Sequence, residues 1–261
     1  MKNNQIILLT GASTGIGLEM AKQLAAQKFN LILVARSLDK LQALQQELIT
    51  KEGIEVQIFA KDLSDKANAF SLYNEIKSQN IIVDMLVNNA GVGLYGEFIE
   101  TTLESELDMI ELNVSSLVAL TKLFAQDMVA RKSGKIMNVA SLLAFLPFPY
   151  YSVYSATKAF VLAFSETIAA ELEGTGVTIT TLCPGPVDTP FNSDAMLKTN
   201  AYQSNKPMSA DAVAKTGVEL LLHGKGKKIV SFNNWFISNL PRFMPDSLMM
   251  KIKKGLASQI K

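Results

Sequence analysis

Hydrophobic positions along the chain follow two alternating rhythms. Short apolar runs rich in Ile, Leu and Val occupy residues 5–10, 30–35, 55–60, 83–88, 134–140, 177–183 and 228–232, and each predicts a strand. Between them, apolar residues recur at three- and four-residue intervals over 16–27, 38–50, 67–79, 103–130, 153–172 and 210–222, the spacing that gives a helix one apolar face. Strand and helix alternate almost from end to end through mostly short connections. That order predicts an α/β fold, a doubly wound parallel sheet of about seven strands with helices on both faces. No repeat, low-complexity tract or Pro/Gly-rich linker interrupts it, so residues 1–261 are expected to form a single domain, with 233–261 a C-terminal apolar and basic helical extension. The least regular stretches, 142–151 and 184–207, follow strands, where open α/β sheets hold ligands.

Composition narrows the class. Hydrophobic residues make up 48% and charged residues 19%, ordinary for a globular protein with a sizeable core. A formal net charge of +1 and the lack of a long Lys/Arg block argue against nucleic acid as a partner. Cys183 is the sole cysteine, so no intrachain disulfide forms, and its apolar neighbours make it a structural thiol. His223 is the sole histidine, at a helix end before Gly224, and no metal site can be built around it. The first apolar run, Ile6 to Leu9, reads as a strand and not as a signal peptide, and no stretch approaches the ~18 apolar residues of a membrane span. These limits suit a cytoplasmic enzyme.

Candidate chemistry sits at the strand ends. Thr10-Gly11-Ala12-Ser13-Thr14-Gly15-Ile16-Gly17 links the first strand to the first helix. Glycines there let the backbone approach a phosphate, and the helix N-terminus offers free amides and a positive dipole, which predicts a Rossmann-type dinucleotide site. The spacing is Gly-x-x-x-Gly-x-Gly, not the general Gly-x-Gly-x-x-Gly. At the end of the second strand, where an acid would bind the ribose hydroxyls of NAD, the chain has Arg36 and Ser37, and a guanidinium there favours the additional phosphate of NADP. Thr14 adds no second basic group. Further along, Tyr154 and Lys158 lie four residues apart on one predicted helical face. A neighbouring ammonium favours the phenolate, bringing a poor proton carrier into range as an acid/base.

Taken together these motifs resemble the short-chain dehydrogenase/reductase family in its single-domain form, over residues 5–232. The resemblance rests on the glycine loop, Asp62 after the third strand, Asn88-Asn89-Ala90-Gly91 after the fourth and Asn113 in the next helix. It continues through Ser141 after the fifth strand, the Tyr154/Lys158 pair and Pro184-Gly185-Pro186-Val187-Asp188-Thr189 after the sixth. It implies a cofactor site of Gly11, Ser13, Thr14, Gly15, Ile16, Gly17, Arg36 and Ser37, with Asp62 and Leu63 at the adenine. Asn89, Ala90 and Gly91 would line the ribose side, and Tyr154, Lys158, Pro184, Gly185, Val187 and Thr189 the nicotinamide side. It implies hydride transfer to or from a carbonyl carbon, with Ser141 holding the carbonyl, Tyr154 moving the proton and Lys158 lowering the tyrosine pKa while holding the ribose. By the same resemblance Asn113 holds a water beside the lysine. The expected function is an NADP(H)-dependent oxidoreductase acting on a small-molecule carbonyl or secondary alcohol as a homo-oligomer. A dinucleotide sensor or a family epimerase is the alternative, and the intact proton-relay set argues against the sensor.

Two segments stay open at this level. The run from Leu142 to Tyr151 is strongly apolar, which suits either a hydrophobic substrate or a second subunit. Residues 191–207 are expected to form a mobile lid with a short helix near 192–198. In 233–261, Trp235, Phe236, Leu240, Phe243, Met244, Leu248, Met249, Met250 and Ile252 alternate with Arg242, Lys251, Lys253, Lys254 and Lys261 against one acid, Asp246. Such a segment fits a pocket cover, a subunit contact or an anionic membrane surface, the last being the less favoured.

Overall fold

The computed structural model describes residues 4–204 and 206–259. Its strands are β1 Ile6–Thr10, β2 Asn30–Ala35, β3 Val56–Ala60, β4 Met85–Asn88, β5 Gly134–Val139, β6 Val177–Cys183, β7 Val187–Asp188, β8 Met208–Ser209 and β9 Gly226–Ile229. The helices are α1 Gly15–Ala26, α2 Leu38–Glu52, α3 Lys66–Ser78, α4 Leu103–Ile110, α5 Leu117–Ala130, α6 Ser152–Glu171, α7 Asp194–Leu197, α8 Asn200–Ser204, α9 Ala210–His223, α10 Phe232–Asn239 and α11 Asp246–Ala257. Among the described residues a seven-stranded parallel sheet runs in the order β3-β2-β1-β4-β5-β6-β9. Strand order reverses between β1 and β4, which opens a crevice at their C-terminal ends.

Alternation along each strand divides the core. Ile7, Leu9, Leu31 and Leu33 face α1, α2 and α9, whereas Leu8, Ile32, Val34 and Leu86 face α3 and α5. Helix α6 closes the second layer through Val161 and Leu162 against Cys183. A continuous apolar run therefore reads as a strand because both of its faces are covered.

Two elements depart from the pattern-based expectation. The edge strand is β9, Gly226–Ile229, and not 228–232, because Ser231 takes a positive φ of 75° and its side chain accepts from the Asn234 amide, which starts α10 at Phe232. The expected helix 103–130 is interrupted by a π-helical turn, Glu111–Ser116, that carries Asn113. Beyond the sheet, the segment expected as a helical extension holds α10, a 3-10 turn at Leu240–Arg242 and α11, which fold back and bury Met249 against Leu142 and Leu146. Lys261 lies outside the described residues.

Candidate active site

A cleft of about 560 Å³ opens over the C-terminal ends of the strands. Its floor begins at the glycine loop. Gly11 and Gly15 have φ of +67° and +56°, values that side-chain-bearing residues rarely adopt. Gly17 is not itself exposed to the cleft; a Cβ there would lie 2.2 Å from the Gly11 carbonyl oxygen, so this glycine lets α1 approach the loop. Asn89 locks the same loop, donating from Nδ2 to the Thr10 and Gly11 carbonyls at 3.0 and 3.2 Å, while the Asn89 and Ala90 amides donate to Thr10 Oγ1. Neither a side-chain cap nor an acidic residue occupies the first turn of α1, which leaves its amides facing the cleft as a cradle for phosphate. Thr189 packs against Gly15 from across the opening. This combination fits a dinucleotide pyrophosphate.

Around that cradle the remaining expected cofactor residues take different positions. Arg36 is exposed at the rim, whereas Ser37 precedes α2 and does not line the cleft. Asp62 and Leu63 line it, with Asp62 Oδ1 accepting from the Ser64 amide at 3.0 Å. Ala90, Gly91, Pro184, Gly185 and Val187 form the far wall. Lys61, unmarked by any motif, also borders the cleft and pairs with Glu75 at 2.7 Å.

Ser141, Tyr154 and Lys158 meet on the floor beyond Gly91. Ser141 ends β5 and starts a 3-10 turn; its Oγ accepts from the Leu143 amide at 3.1 Å and is hydrogen-bonded to the Tyr154 hydroxyl. Lys158 lies one helical turn beyond Tyr154, with Nζ 5.9 Å from the tyrosine ring centroid and 3.0 Å from the Val139 carbonyl, to which it donates. Burial pushes the Tyr154 hydroxyl up to about 12, opposed by its bond to Ser141, and pushes the Lys158 ammonium down to about 8. The lowering that the resemblance assigns to Lys158 does not offset burial in this arrangement. Desolvation dominates in this state, and the ammonium is turned to a backbone carbonyl.

Asn113 is buried beneath this trio. Its Oδ1 accepts from the Val92 amide at 3.0 Å, and its Nδ2 donates to the Val92 carbonyl at 2.9 Å and to Thr157 Oγ1 at 3.2 Å. The side chain therefore ties the loop after β4 to α6. The π turn places it there. Below, Asn88 Nδ2 donates to Thr121 Oγ1 and Asn138 Oδ1, and Asn138 Nδ2 to Ser165 Oγ, a polar chain joining β4, β5, α5 and α6.

Apolar and aromatic residues wall the other end. The Phe191 ring lies 5.8 Å from Tyr154, and a side chain at Gly93 would collide with it. Tyr151 stands 6.4 Å from Tyr154 and 5.0 Å from Tyr95; its hydroxyl bonds Thr199, and burial raises it well above the usual phenol range. Leu142, Leu146, Phe148, Met196, Ile237 and Leu256 complete this wall. The short helix expected near 192–198 is α7, and the stretch that carries it is bonded to the C-terminal segment. The Asn200 amide donates to the Ser258 carbonyl, Asn200 Nδ2 to Gly255 and Gln259 Nε2 to Ala195, while Tyr95 Oη donates to Ala257 at 2.8 Å. Neither Tyr95 nor the tail carried a motif; the contacts join residues up to 162 positions apart.

Two further residues can be placed. Cys183 is fully buried and its thiol is pushed up to about 12 by burial, consistent with a structural group. His223 ends α9, and among the described residues no cluster of metal-ligating side chains occurs.

A parallel sheet with a glycine-lined phosphate cradle and a Ser, Tyr and Lys set beside it defines a nicotinamide-dinucleotide oxidoreductase. The short chain dehydrogenase family model matches residues 5–200, and the chain belongs to that family. It is 34% identical over 226 residues to 17-beta-hydroxysteroid dehydrogenase type 3 of Mus musculus, covering 84% of this chain and 70% of the relative. Identity is 31% to a very-long-chain 3-oxoacyl-CoA reductase of Pyrenophora tritici-repentis, over 97% of this chain and 76% of the relative. Among solved structures, a short-chain dehydrogenase from Sphingobium yanoikuyae in complex with NADPH superposes with a TM-score of 0.79 at 26% identity, covering 93% and 97% of the two chains. L-Sorbose reductase from Gluconobacter frateurii, complexed with NADPH and L-sorbose, gives 0.78 at 26%, covering 88% and 96%.

Proposed function

We propose that the protein is an NADPH-dependent reductase of a carbonyl carried on a large apolar body. The observation that carries the cofactor choice is Arg36, exposed at the rim where β2 ends, with no ion pair among the described residues. A free guanidinium there matches a phosphate and leaves no acid for the ribose hydroxyls of NAD. Relatives solved with NADPH support the same choice.

The chain's own groups divide the chemistry. Bound in the cradle, the reduced cofactor supplies hydride. Ser141 Oγ is held by the Leu143 amide, and its hydroxyl, bonded to Tyr154 until substrate enters, turns to donate to a carbonyl oxygen placed beside both groups. Tyr154, protonated throughout the neutral range because burial raises it, gives its proton to that oxygen as the carbon is reduced. Lys158 stays mostly charged at neutral pH, since about 8 lies above it, and stabilises the tyrosinate that remains. The apolar wall excludes water and suits a hydrophobic body, a reading supported by relatives named for hydroxysteroid and very-long-chain 3-oxoacyl-CoA substrates.

Calorimetry with both cofactors tests the first half. NADPH should bind more tightly than NADH, and Arg36→Asp should weaken NADPH by about 1.5–3 kcal/mol, the worth of a charge-assisted contact, with NADH gaining relatively. An unmodified protein that prefers NADH refutes it. NADPH consumption across aliphatic, steroid, 3-oxoacyl and sugar carbonyls tests the second, and a preference for the sugars would overturn the apolar assignment.

A further inference from the structure

Helix α10 is inside out. Asn234 is 3% exposed and Ser238 is also buried, while Phe232 is 73% exposed and Trp235 and Phe236 stand at least half in solvent. The buried pair is used: Asn234 Nδ2 donates to the Val230 carbonyl at 2.7 Å beside Gly185, and Ser238 Oγ donates to Trp235 at 2.7 Å. The aromatic residues, at i, i+3 and i+4, share the other face, with the Phe232 and Trp235 rings stacked at 5.6 Å. Further exposed apolar side chains follow, Phe243 at 83% and Leu248, Met250 and Ile252 of α11. Scattered exposed hydrophobics need no explanation, but a contiguous aromatic patch on a helix that buries its polar side does.

Charge selects the occupant. Residues 232–261 hold five bases, Arg242, Lys251, Lys253, Lys254 and Lys261, against the single acid Asp246. Lys251 and Lys254 are exposed on α11 beside the apolar positions. An exposed apolar stripe on α4, Leu103, Leu107 and Ile110, is by contrast flanked by Glu100, Glu104 and Asp108, the wrong sign for an acidic surface. Aromatic rings with flanking lysines match the interfacial layer of an anionic bilayer, where the rings sit among headgroups and the ammonium groups meet phosphates. No helix of the described residues is long and apolar enough to cross a membrane, so the contact is one of lying on the surface. We propose that the outer face of α10 and α11 docks the protein on anionic lipid. The inner face of the same cap, Ile237 and Leu256, lines the cleft, so docking sets the cleft wall beside the bilayer. The binding itself does not depend on what the cleft reduces.

Trp235 is the only tryptophan in the chain, so intrinsic emission reports on this patch alone. The intact protein is titrated with vesicles of phosphatidylcholine alone and of phosphatidylcholine mixed with phosphatidylserine. The expected result is a blue shift with the mixed vesicles, quenched by bromine-labelled acyl chains and reversed by high salt. Lys251→Gln with Lys254→Gln should weaken partitioning roughly thirty-fold, about five-fold for each lysine near an anionic surface. Phe236→Ser with Phe243→Ser should abolish it while NADPH affinity and the melting temperature stay unchanged. Unchanged emission with anionic vesicles at low salt overturns the proposal. Equal binding to neutral vesicles removes its anionic element, and a lipid-free blue shift that grows with protein concentration shows that a second copy covers the patch instead.

Discussion

The two ends of the cleft are built on different principles. At the cofactor end, backbone at the tips of neighbouring strands makes the site, and glycines at 11, 15 and 17 place it. At the apolar end, side chains from α6, residues 191–204, α10 and α11 converge, and the closing bonds join residues as distant as Tyr95 and Ala257. The first is specified by local motif and the second by long-range packing. A parallel-sheet scaffold can therefore keep one end fixed while the other is rebuilt by its tail.

Gly17→Ala should give the largest effect at the cofactor end. Its Cβ would meet the Gly11 carbonyl and Asn89 Nδ2, neither free to move without disturbing the loop. We expect a loss of about 1–3 kcal/mol or more in stability with NADPH binding nearly abolished, read by thermal melts and calorimetry. Normal cofactor affinity in this variant would show that the loop is less tightly specified than its contacts indicate.

Next in size is a pH effect at the junction of the two ends. Lys158 ordinarily titrates at 10.5 and is held at about 8. Between those values the unfolded chain carries a proton that the folded chain lacks, so this group's contribution to stability rises with pH across that window. Cys183, raised from 9.0 to about 12, acts in the opposite sense above pH 9, so the variant must be compared with wild type at each pH. Lys158→Met should gain on wild type at pH 7 by up to a few kcal/mol, less the lost bond to Val139, and that relative gain should shrink toward pH 10.5. A pH-independent difference in denaturant midpoints would contradict the burial argument.

Smallest is Tyr95→Phe at the apolar end, which removes one bond to the tail. Loss of about 0.5–1.5 kcal/mol should appear as faster hydrogen exchange in residues 255–259 and a raised KM, with NADPH affinity unchanged. Unchanged exchange would mean that the tail is held without this latch.

The same contrast explains what the sequence revealed. Strands β2 and β6 lie at the expected residues because nearly every position is buried and β-prone, Leu, Ile, Val or Thr, whereas β9, with the sequence Gly-Lys-Lys-Ile, has the polar character of an edge strand and lies two to three residues before the expected one. The glycine loop, Arg36 and the Ser141, Tyr154 and Lys158 set were legible because their chemistry demands particular residue types at particular strand ends. Periodicity is blind to a π turn, which adds a residue per turn without breaking the apolar face, so the role of Asn113 emerged only from its bonds. Asn234 and Leu256 belong to no pattern near the chemistry; folding alone brings them there.

The central claim is that Tyr154 moves the proton while the glycine cradle holds the cofactor independently of it. Single-turnover oxidation of NADPH with the best apolar ketone, measured for wild type and Tyr154→Phe alongside calorimetric NADPH affinity, tests both parts together. The account predicts equal affinity and a rate reduced by about 10²–10⁴, the usual contribution of a positioned acid. A Tyr154→Phe protein that oxidises NADPH at a near-normal rate would contradict it.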